Sequence, residues 1–240
     1  MTDQNETLAQ ANLTALSRNP YPGRGIVVGL DETSDFMVQI YWIMGRSENS
    51  RNRVFKVDMM GRLYTEAADE AKMSNPSLVI YNAMREVGLY FIVSNGDQTD
   101  TVAESWSLDL NQALRGRIYE PDAPNFTPRI TALSSLRKHF QLSILRKSRF
   151  GDGCDRLLYE CAPYPGFGYC ITTYAGDGDP LPSFCGDPLV MPLRGGPEDI
   201  LDTYWSALNE ANRVSLAVKF IERKSGRSYT HIANKYTQKG

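Results

Sequence analysis

The 240-residue chain has no excess of positive charge, because 26 Lys and Arg residues face 28 Asp and Glu residues and leave a formal net charge of −2. Nucleic acids and anionic membranes attract basic surfaces, so neither is expected as a partner. No apolar run approaches the length of a helix that spans a bilayer. The first six residues are polar and acidic, unlike a secretory signal, and a cytoplasmic location is therefore expected.

Cysteine and histidine are also scarce. The four cysteines lie at positions 154, 161, 170 and 185, and there are two histidines. Zinc sites usually show close pairs of such ligands, and this spacing does not, so no metal is expected. Disulfides are not expected in a cytosolic protein of this size. The glycine patterns of dinucleotide sites and of P-loops are missing as well, which excludes those two kinds of nucleotide site.

The chain does have the ordinary apolar content of a globular protein, 42%. Helical spacing and helix-start signals predict helices over residues 6–17, 99–114 and 197–208. Apolar and β-rich runs predict strands over residues 26–30, 36–44, 54–59, 78–81, 89–94, 129–133, 141–145, 157–161, 169–174, 214–222 and 229–232. Strands in two sets, with a substantial helix after each set, predict two packed antiparallel or mixed sheets covered by helices.

Two short stretches carry most of the functional signal. Tyr81-Asn82-Ala83-Met84-Arg85 places a phenol, an amide and a guanidinium at the end of an apolar run. The run that starts at Ser94-Asn95-Gly96 is a turn rich in small acceptors and leads into the predicted helix at residue 99. Free backbone N–H groups and the helix dipole at such a corner favour an anion. A tight Asn-Gly turn explains the second stretch about equally well.

A basic loop precedes them, with Arg46, Arg51 and Arg53 within eight residues. A solvated turn is the simpler interpretation, although arginine is the side chain best shaped to hold phosphate or carboxylate. Further along, Glu120 precedes a proline-bearing loop and Arg129 stands at a strand start. Nucleophilic catalysis finds no support, because no Ser or Cys lies in a recognisable pattern with His. Thr2 would need a strand after it to act as an N-terminal nucleophile, and a helix-prone segment follows instead.

Six short motifs appear together in one order along residues 21–135. They are Pro22-Gly23-Arg24, Gly45-Arg46-Ser47 with Asn52-Arg53, Tyr81-Asn82-Ala83-Met84-Arg85, Ser94-Asn95-Gly96 with Thr99-Asp100-Thr101, Tyr119-Glu120, and Thr127-Pro128-Arg129-Ile130. In this the chain resembles the archaeal-type inosine monophosphate (IMP) cyclohydrolase family. Where that family often carries a histidine before Thr-Asp-Thr, this chain has Gln98.

The resemblance implies an α+β fold, a four-layer αββα sandwich like that of N-terminal nucleophile hydrolases but without their nucleophile. Residues 1–20 are then a helical extension, and residues 21–240 a single domain. The implied reaction closes the purine ring, converting 5-formamidoimidazole-4-carboxamide ribonucleotide to IMP and water without a cofactor. The implied partner is a small purine nucleotide, and a homo-oligomer is expected.

The resemblance also implies roles for individual residues. The expected catalytic residues are Glu120 as general base, Tyr81 as hydrogen-bond donor to the formyl oxygen, and Arg53 as stabiliser of charge there or orienter of Glu120. The expected base and ribose pocket is formed by Asn82, Asn95, Gly96 and Asp100. The phosphate would be held by Arg46, Arg85 or Arg129.

Two other functions stay open. A non-catalytic binder of purine nucleotides would keep the pocket and lack turnover. An amide hydrolase of the N-terminal nucleophile type would depend on residue 2.

Overall fold

A computed structural model describes residues 2–72, 79–136 and 140–236. The helices in this part of the chain are short apart from two. They are α1 (Thr2–Arg18), α2 (Glu48–Arg51), α3 (Gln98–Ala103), α4 (Leu110–Ala113) and α5 (Pro197–Ala207), with a 3₁₀ turn at Glu70–Lys72. None of the helices described is long and apolar enough to cross a membrane.

The described strands form two sheets in which all neighbours run antiparallel. The strands are β1 (Gly25–Leu30), β2 (Phe36–Met44), β3 (Val54–Val57), β4 (Leu63–Glu66), β5 (Asn82–Val87), β6 (Tyr90–Ser94), β7 (Arg129–Ser135), β8 (Phe140–Lys147), β9 (Cys154–Cys161), β10 (Phe167–Thr172), β11 (Leu189–Pro192), β12 (Arg213–Glu222) and β13 (Ser228–Asn234). The six-stranded sheet has the order β11-β10-β1-β2-β12-β13, and the seven-stranded sheet runs from β3 to β9 in sequence order.

The core lies between the two sheets. Alternate side chains of a strand point to opposite faces, so Tyr41 and Ile43 of β2 meet residues of the second sheet such as Phe91 and Ile130. The α+β class and the pair of face-to-face antiparallel sheets are confirmed. The similarity to N-terminal nucleophile hydrolases stays a prediction.

Helices cover the outer faces. Trp42 of β2 points away from the second sheet and packs with Leu16 of α1 and Tyr204 of α5. On the other side, Ile92 of β6 packs with Val102 of α3, in one cluster with residues of α4. Each such side chain contributes about 1.5–3 kcal/mol when it is fully buried. Apart from Gln39, which donates to the Phe91 carbonyl at 3.0 Å, the central strands β1 and β2 are apolar on both faces, because both faces are covered.

The predicted helix over residues 99–114 is wrong, because two short helices, α3 and α4, take its place. Leu108 adopts a left-handed backbone conformation, with φ of 44°, between them. Asp109 then caps α4 by accepting a hydrogen bond from the Gln112 N–H. Trp106, which a continuous helix would place on the same face as Val102 and Leu110, is 90% exposed.

The predicted strand over residues 78–81 is also wrong where it can be checked. Residue 78 lies outside the described residues, and β5 begins only at Asn82. The main chain of Tyr81 instead bonds to Thr65, with Tyr81 N–H donating to Thr65 Oγ1 at 3.0 Å. The short strands β4 and β11 were not predicted.

The first helix, α1, is predicted by the spacing and packs closely on the six-stranded sheet. Ala9 is fully buried, and Asn12 Nδ2 donates to the carbonyl of Val190 in β11. Just after the helix, Asn19 Nδ2 donates to the carbonyl of Ala175 at 2.9 Å. Whether residues 1–20 are a separate extension stays a prediction.

Candidate active site

A cavity of about 240 Å³ opens at one end of the two-sheet core. Its lining comes from the segment just before β1, the loop after β2, and two loops that follow α4 and β10. Arg24, Arg46 and Arg53 all line it, together with a single carboxylate, Asp122. The lining therefore carries an excess of positive charge in a confined space.

Arg24 reaches the cavity because two glycines let the chain pass close to its neighbours. Gly23 has a φ of +73°, and a Cβ there would lie 2.2 Å from Thr173 Oγ1. A Cβ on Gly25 would lie 1.9 Å from the Trp42 ring. The Arg24 N–H then donates to Thr173 Oγ1 at 3.1 Å, which fixes the backbone immediately before β1.

Arg53 is positioned by the short helix α2. Ser47 caps this helix through reciprocal hydrogen bonds with Ser50. Arg53 Nε donates to the Ser50 carbonyl at 3.1 Å, and the residue is only 3% exposed. Within the described part of the chain, Arg53 Nη1 is buried and has no hydrogen-bond partner, and the same is true of Arg24 Nε.

A buried guanidinium, Arg53, and a largely buried one, Arg24, therefore both present a free donor at this cavity. Burial and the charge of Arg24 lower the pKa of Arg53 from its usual value. Like charges repel most strongly away from water. A bound anion would relieve this repulsion and satisfy both donors.

Glu120 lies next to this pair. Its carboxylate is 3.5 Å from Arg24 Nη1, and the residue is 4% exposed. Burial raises the pKa of Glu120 above its usual value, although the charges of Arg24 and Arg129 oppose the shift. A carboxyl group with a raised pKa beside a cation is suited to take up and return a proton.

Two phenols complete the cluster. The hydroxyl oxygens of Tyr41 and Tyr81 are 2.6 Å apart. Burial and the neighbouring Tyr81 raise the pKa of Tyr41 well above its usual value, against the charges of Arg24 and Arg53. The three predicted catalytic residues, Arg53, Tyr81 and Glu120, are thus brought together around Arg24. Arg53 lines the cavity itself, whereas Tyr81 and Glu120 are not among its lining residues.

Of the predicted substrate-binding residues, Arg46 lines the cavity. Its Nη1 contacts Asp177 Oδ1 at 2.5 Å and the Gly178 carbonyl at 3.0 Å. Its guanidinium also lies over the Tyr21 ring, 5.0 Å from the centroid. Both Arg46 and Asp177 are partly exposed, so this ion pair stands at the solvent side of the site.

Asn82, Arg85 and Asp100 form a second group, outside the lining of this cavity. Asn82 Nδ2 donates to Asp100 Oδ1 at 2.9 Å, and Arg85 Nη1 donates to the same oxygen at 2.8 Å. The side chains that were predicted to contact the substrate thus contact one another.

Asn95, Gly96 and Arg129 form a third group, also outside this lining. Arg129 Nη1 donates to Asp97 Oδ1 and to Gln98 Oε1, each at 2.7 Å. Asn95 Oδ1 accepts from the Ile130 N–H at 2.8 Å. A Cβ on Gly96 would lie 2.8 Å from Arg129 Nη1, so glycine allows the turn to close over that guanidinium.

Sequence reasoning did not assign site roles to Arg24, Tyr41 or Tyr174. Arg24 does occur in the Pro22-Gly23-Arg24 motif, which was the available signal. Tyr174 lines the cavity, and its hydroxyl lies 2.6 Å from Thr127 Oγ1. Thr127 Oγ1 donates to the carboxylate of Asp122, so the Tyr174 hydroxyl must donate to Thr127. Burial raises the pKa of Tyr174 to about 12.

A wider depression of about 500 Å³ lies on the other side of α2. Its basic side chains are already engaged: Arg51 donates to the Gly45 carbonyl, Lys72 to Glu48, and Lys235 to the Glu210 carbonyl. Among the described residues, no group of three or more His, Cys, Asp or Glu could hold a metal ion. The cavity around Arg24 and Arg53 is therefore the stronger candidate for a site.

Comparison with known proteins points in the same direction. A protein named IMP cyclohydrolase from Haloquadratum walsbyi is 32% identical to the chain over 119 residues, which are 47% of this chain. The aligned part covers 56% of that relative, so the chain spans little more than half its length. The model of a family described as IMP cyclohydrolase-like protein matches residues 21–225, which include the whole candidate site. The chain belongs to this IMP cyclohydrolase-like family.

Proposed function

We propose that the protein closes the purine ring of 5-formamidoimidazole-4-carboxamide ribonucleotide and releases IMP and water, the last step of purine biosynthesis. The observation that carries this proposal is the buried pair Arg24 and Arg53, with unpaired donors, beside Glu120 and Tyr81. Family membership and the name of the relative support the same reaction class.

The charge of the cavity supports an anionic substrate. Three arginines and one carboxylate line it, and Arg46 at the solvent side is placed for a phosphate. Arg85 and Arg129 remain candidates for phosphate, and Asn82, Asn95, Gly96 and Asp100 for the base and ribose. Each side chain in that set now contacts another group of the protein and would have to give up that contact to bind the nucleotide.

The chemistry requires one nucleotide to react with itself. The carboxamide nitrogen attacks the formyl carbon, a C–N bond forms, and the C=O electron pair moves to oxygen. Because both groups belong to one molecule, holding a near-attack rotamer removes much of the barrier. We infer that the reacting groups bind at the inner end of the cavity, next to Arg24 and Arg53.

Glu120 would accept the proton that the carboxamide nitrogen loses. Tyr81 and Arg53 would donate hydrogen bonds to the oxygen that becomes negative, which then takes up a proton from solvent. In the second step the C–O bond breaks, the proton on Glu120 leaves with the oxygen as water, and the formamido nitrogen releases its proton to solvent as C=N forms, which balances the proton taken up in the first step. Arg24 would keep Glu120 ionised between cycles, since its charge opposes the effect of burial.

We also infer that the fold is the αββα arrangement of N-terminal nucleophile hydrolases, without their nucleophile. The helices on both outer faces support this arrangement. Thr2 begins helix α1, which gives no support to an N-terminal nucleophile. A cytoplasmic location and a homo-oligomeric state belong to the same proposal.

The test is an assay of the purified protein with the formamido ribonucleotide, following the absorbance of IMP. We expect turnover without added metal, and we expect Glu120→Gln and Tyr81→Phe each to lower kcat by roughly a hundredfold. Full activity in both variants would show that Glu120 and Tyr81 do not have the roles assigned to them. If the wild type binds IMP in calorimetry but shows no turnover, the proposed catalysis is wrong and the protein is a nucleotide binder.

A further inference from the structure

The phenol of Tyr41 is buried in the two-sheet core, directly behind the residues of the candidate site. Tyr41 lies on β2, between β1 and β12, and has no exposed surface. Its ring centroid is 5.4 Å from that of Phe55. Because it sits on a central strand with packed neighbours, its hydroxyl has a fixed position.

That hydroxyl has one partner. Tyr41 Oη lies 2.6 Å from Tyr81 Oη, and within the described residues neither hydroxyl has another hydrogen-bond partner. A contact between two phenols uses one hydrogen, so one phenol donates and the other accepts. The direction of this hydrogen bond decides which proton is left over.

Burial selects the direction. If Tyr81 donated, the Tyr41 proton would remain unpaired in a place that solvent does not reach, which is costly. If Tyr41 donates, the remaining proton belongs to Tyr81, which keeps 6% of its surface exposed. The structure therefore favours Tyr41 as donor and leaves the Tyr81 proton free for a ligand.

We propose that Tyr41 is a positioning residue that acts through Tyr81: it donates to the Tyr81 oxygen and directs the Tyr81 proton toward the substrate oxygen. This inference rests on the proposed function. Accepting one hydrogen bond also makes a hydroxyl a stronger donor in the next, because chained hydrogen bonds polarise one another. Tyr41 thus sets both the direction and the strength of the hydrogen bond from Tyr81.

The test compares Tyr41→Phe, Tyr81→Phe and the double variant. The expected result for Tyr41→Phe is a loss of roughly tenfold in kcat with KM changed less than about twofold, because the lost interaction matters most at the developing charge. The double variant is expected to be no slower than Tyr81→Phe, since Tyr41 has no role once the Tyr81 hydroxyl is gone.

Tyr204→Phe is the matched control. Tyr204 is also fully buried and makes one hydrogen bond, to the Pro192 carbonyl at 2.9 Å, but it lies in α5 on the outer face of the sheet. Its kcat should equal that of the wild type even if its midpoint of thermal unfolding falls. A merely structural role for Tyr41 would make Tyr41→Phe behave in the same way.

The outcomes separate this inference from the proposed function. Wild-type kcat in Tyr41→Phe, together with a large loss in Tyr81→Phe, overturns the inference alone, as does strict additivity in the double variant. Absence of turnover in the wild type overturns the proposed function instead. If Tyr41→Phe does not fold, 3-fluorotyrosine at position 41 gives a more acidic donor and should raise kcat about twofold. An unchanged or lower kcat with that substitution overturns the inference.

Discussion

Two groups of arginines flank the same end of the fold, and they differ in what satisfies them. In the cavity group, Arg53 is buried and Arg24 largely so, and each keeps one buried donor that has no partner among the described residues. In the turn group, Arg85 is paired with Asp100 and Arg129 with Asp97. From the sequence, Arg53 of the first group is expected as a catalytic residue and both arginines of the second group are candidates for phosphate, whereas Arg24 has no expected site role.

The difference indicates that a ligand-binding arginine is recognised by a donor that has no hydrogen-bond partner in the protein. Leaving a buried donor unpaired costs about 1–3 kcal/mol, so folding alone does not favour it. The turn group has no such cost, because Asp97 and Asp100 pair with its two arginines. Unpaired donors in the cavity are therefore the stronger sign of a ligand.

The largest expected effect separates the two groups directly. Arg53→Met should lower kcat/KM by about a hundredfold to a thousandfold, the usual loss when a donor to a developing oxyanion is removed. Arg85→Met should lower it by no more than about tenfold, because a guanidinium that is already paired with Asp100 would add at most one charge-assisted hydrogen bond to the phosphate. Steady-state kinetics on the formamido ribonucleotide measures both, and equal losses would break the comparison.

A second expectation concerns pH. The general base must be ionised, so kcat/KM should fall as the pH drops through the raised pKa of Glu120. Arg24 opposes that rise in pKa, so Arg24→Gln should move the acidic limb of the profile to higher pH. Arg85→Met should leave the limb in place. A limb that stays fixed in Arg24→Gln would show that Arg24 does not act on the titrating base.

The smallest effects are expected at the solvent side, where Arg46 combines features of both groups because it lines the cavity and is paired with Asp177. Arg46→Met should weaken IMP binding about tenfold, the scale of one charge-assisted hydrogen bond. Asp177→Asn should strengthen it about two- to fivefold, since the phosphate no longer displaces a carboxylate. Isothermal titration calorimetry measures both, and tighter binding by Arg46→Met would contradict the assignment.

Much of the framework was predictable from residue patterns. The strand at residues 36–44 was predicted with the bounds that β2 has, because its apolar run is long and flanked by polar turns. The strands predicted over residues 214–222 and 229–232 pair with each other as β12 and β13, and Gly226 in the turn between them has a φ of +74°. Local chemistry dictated these elements.

The predictions that failed did so because two local sequence signals competed or because contacts with residues distant in the chain decided the structure. Helical spacing continued through residues 99–114, but the capping side chain of Asp109 began a new helix. Tyr81 sits outside a strand because Thr65, sixteen residues earlier in the chain, bonds to its main chain. The pairing of Arg24 with Glu120 joins residues almost a hundred positions apart, and no local pattern encodes it.

The contact between Asn19 and Ala175 has a consequence for the shape of the cavity. Ala175 adjoins Tyr174, which forms part of the cavity wall, and Asn19 holds this loop from outside the span that the family model matches. Asn19 Oδ1 also accepts from the Tyr21 N–H, so one amide braces two neighbouring segments of the wall. A residue outside the span that the family model matches thus takes part in setting how wide the cavity is at this wall.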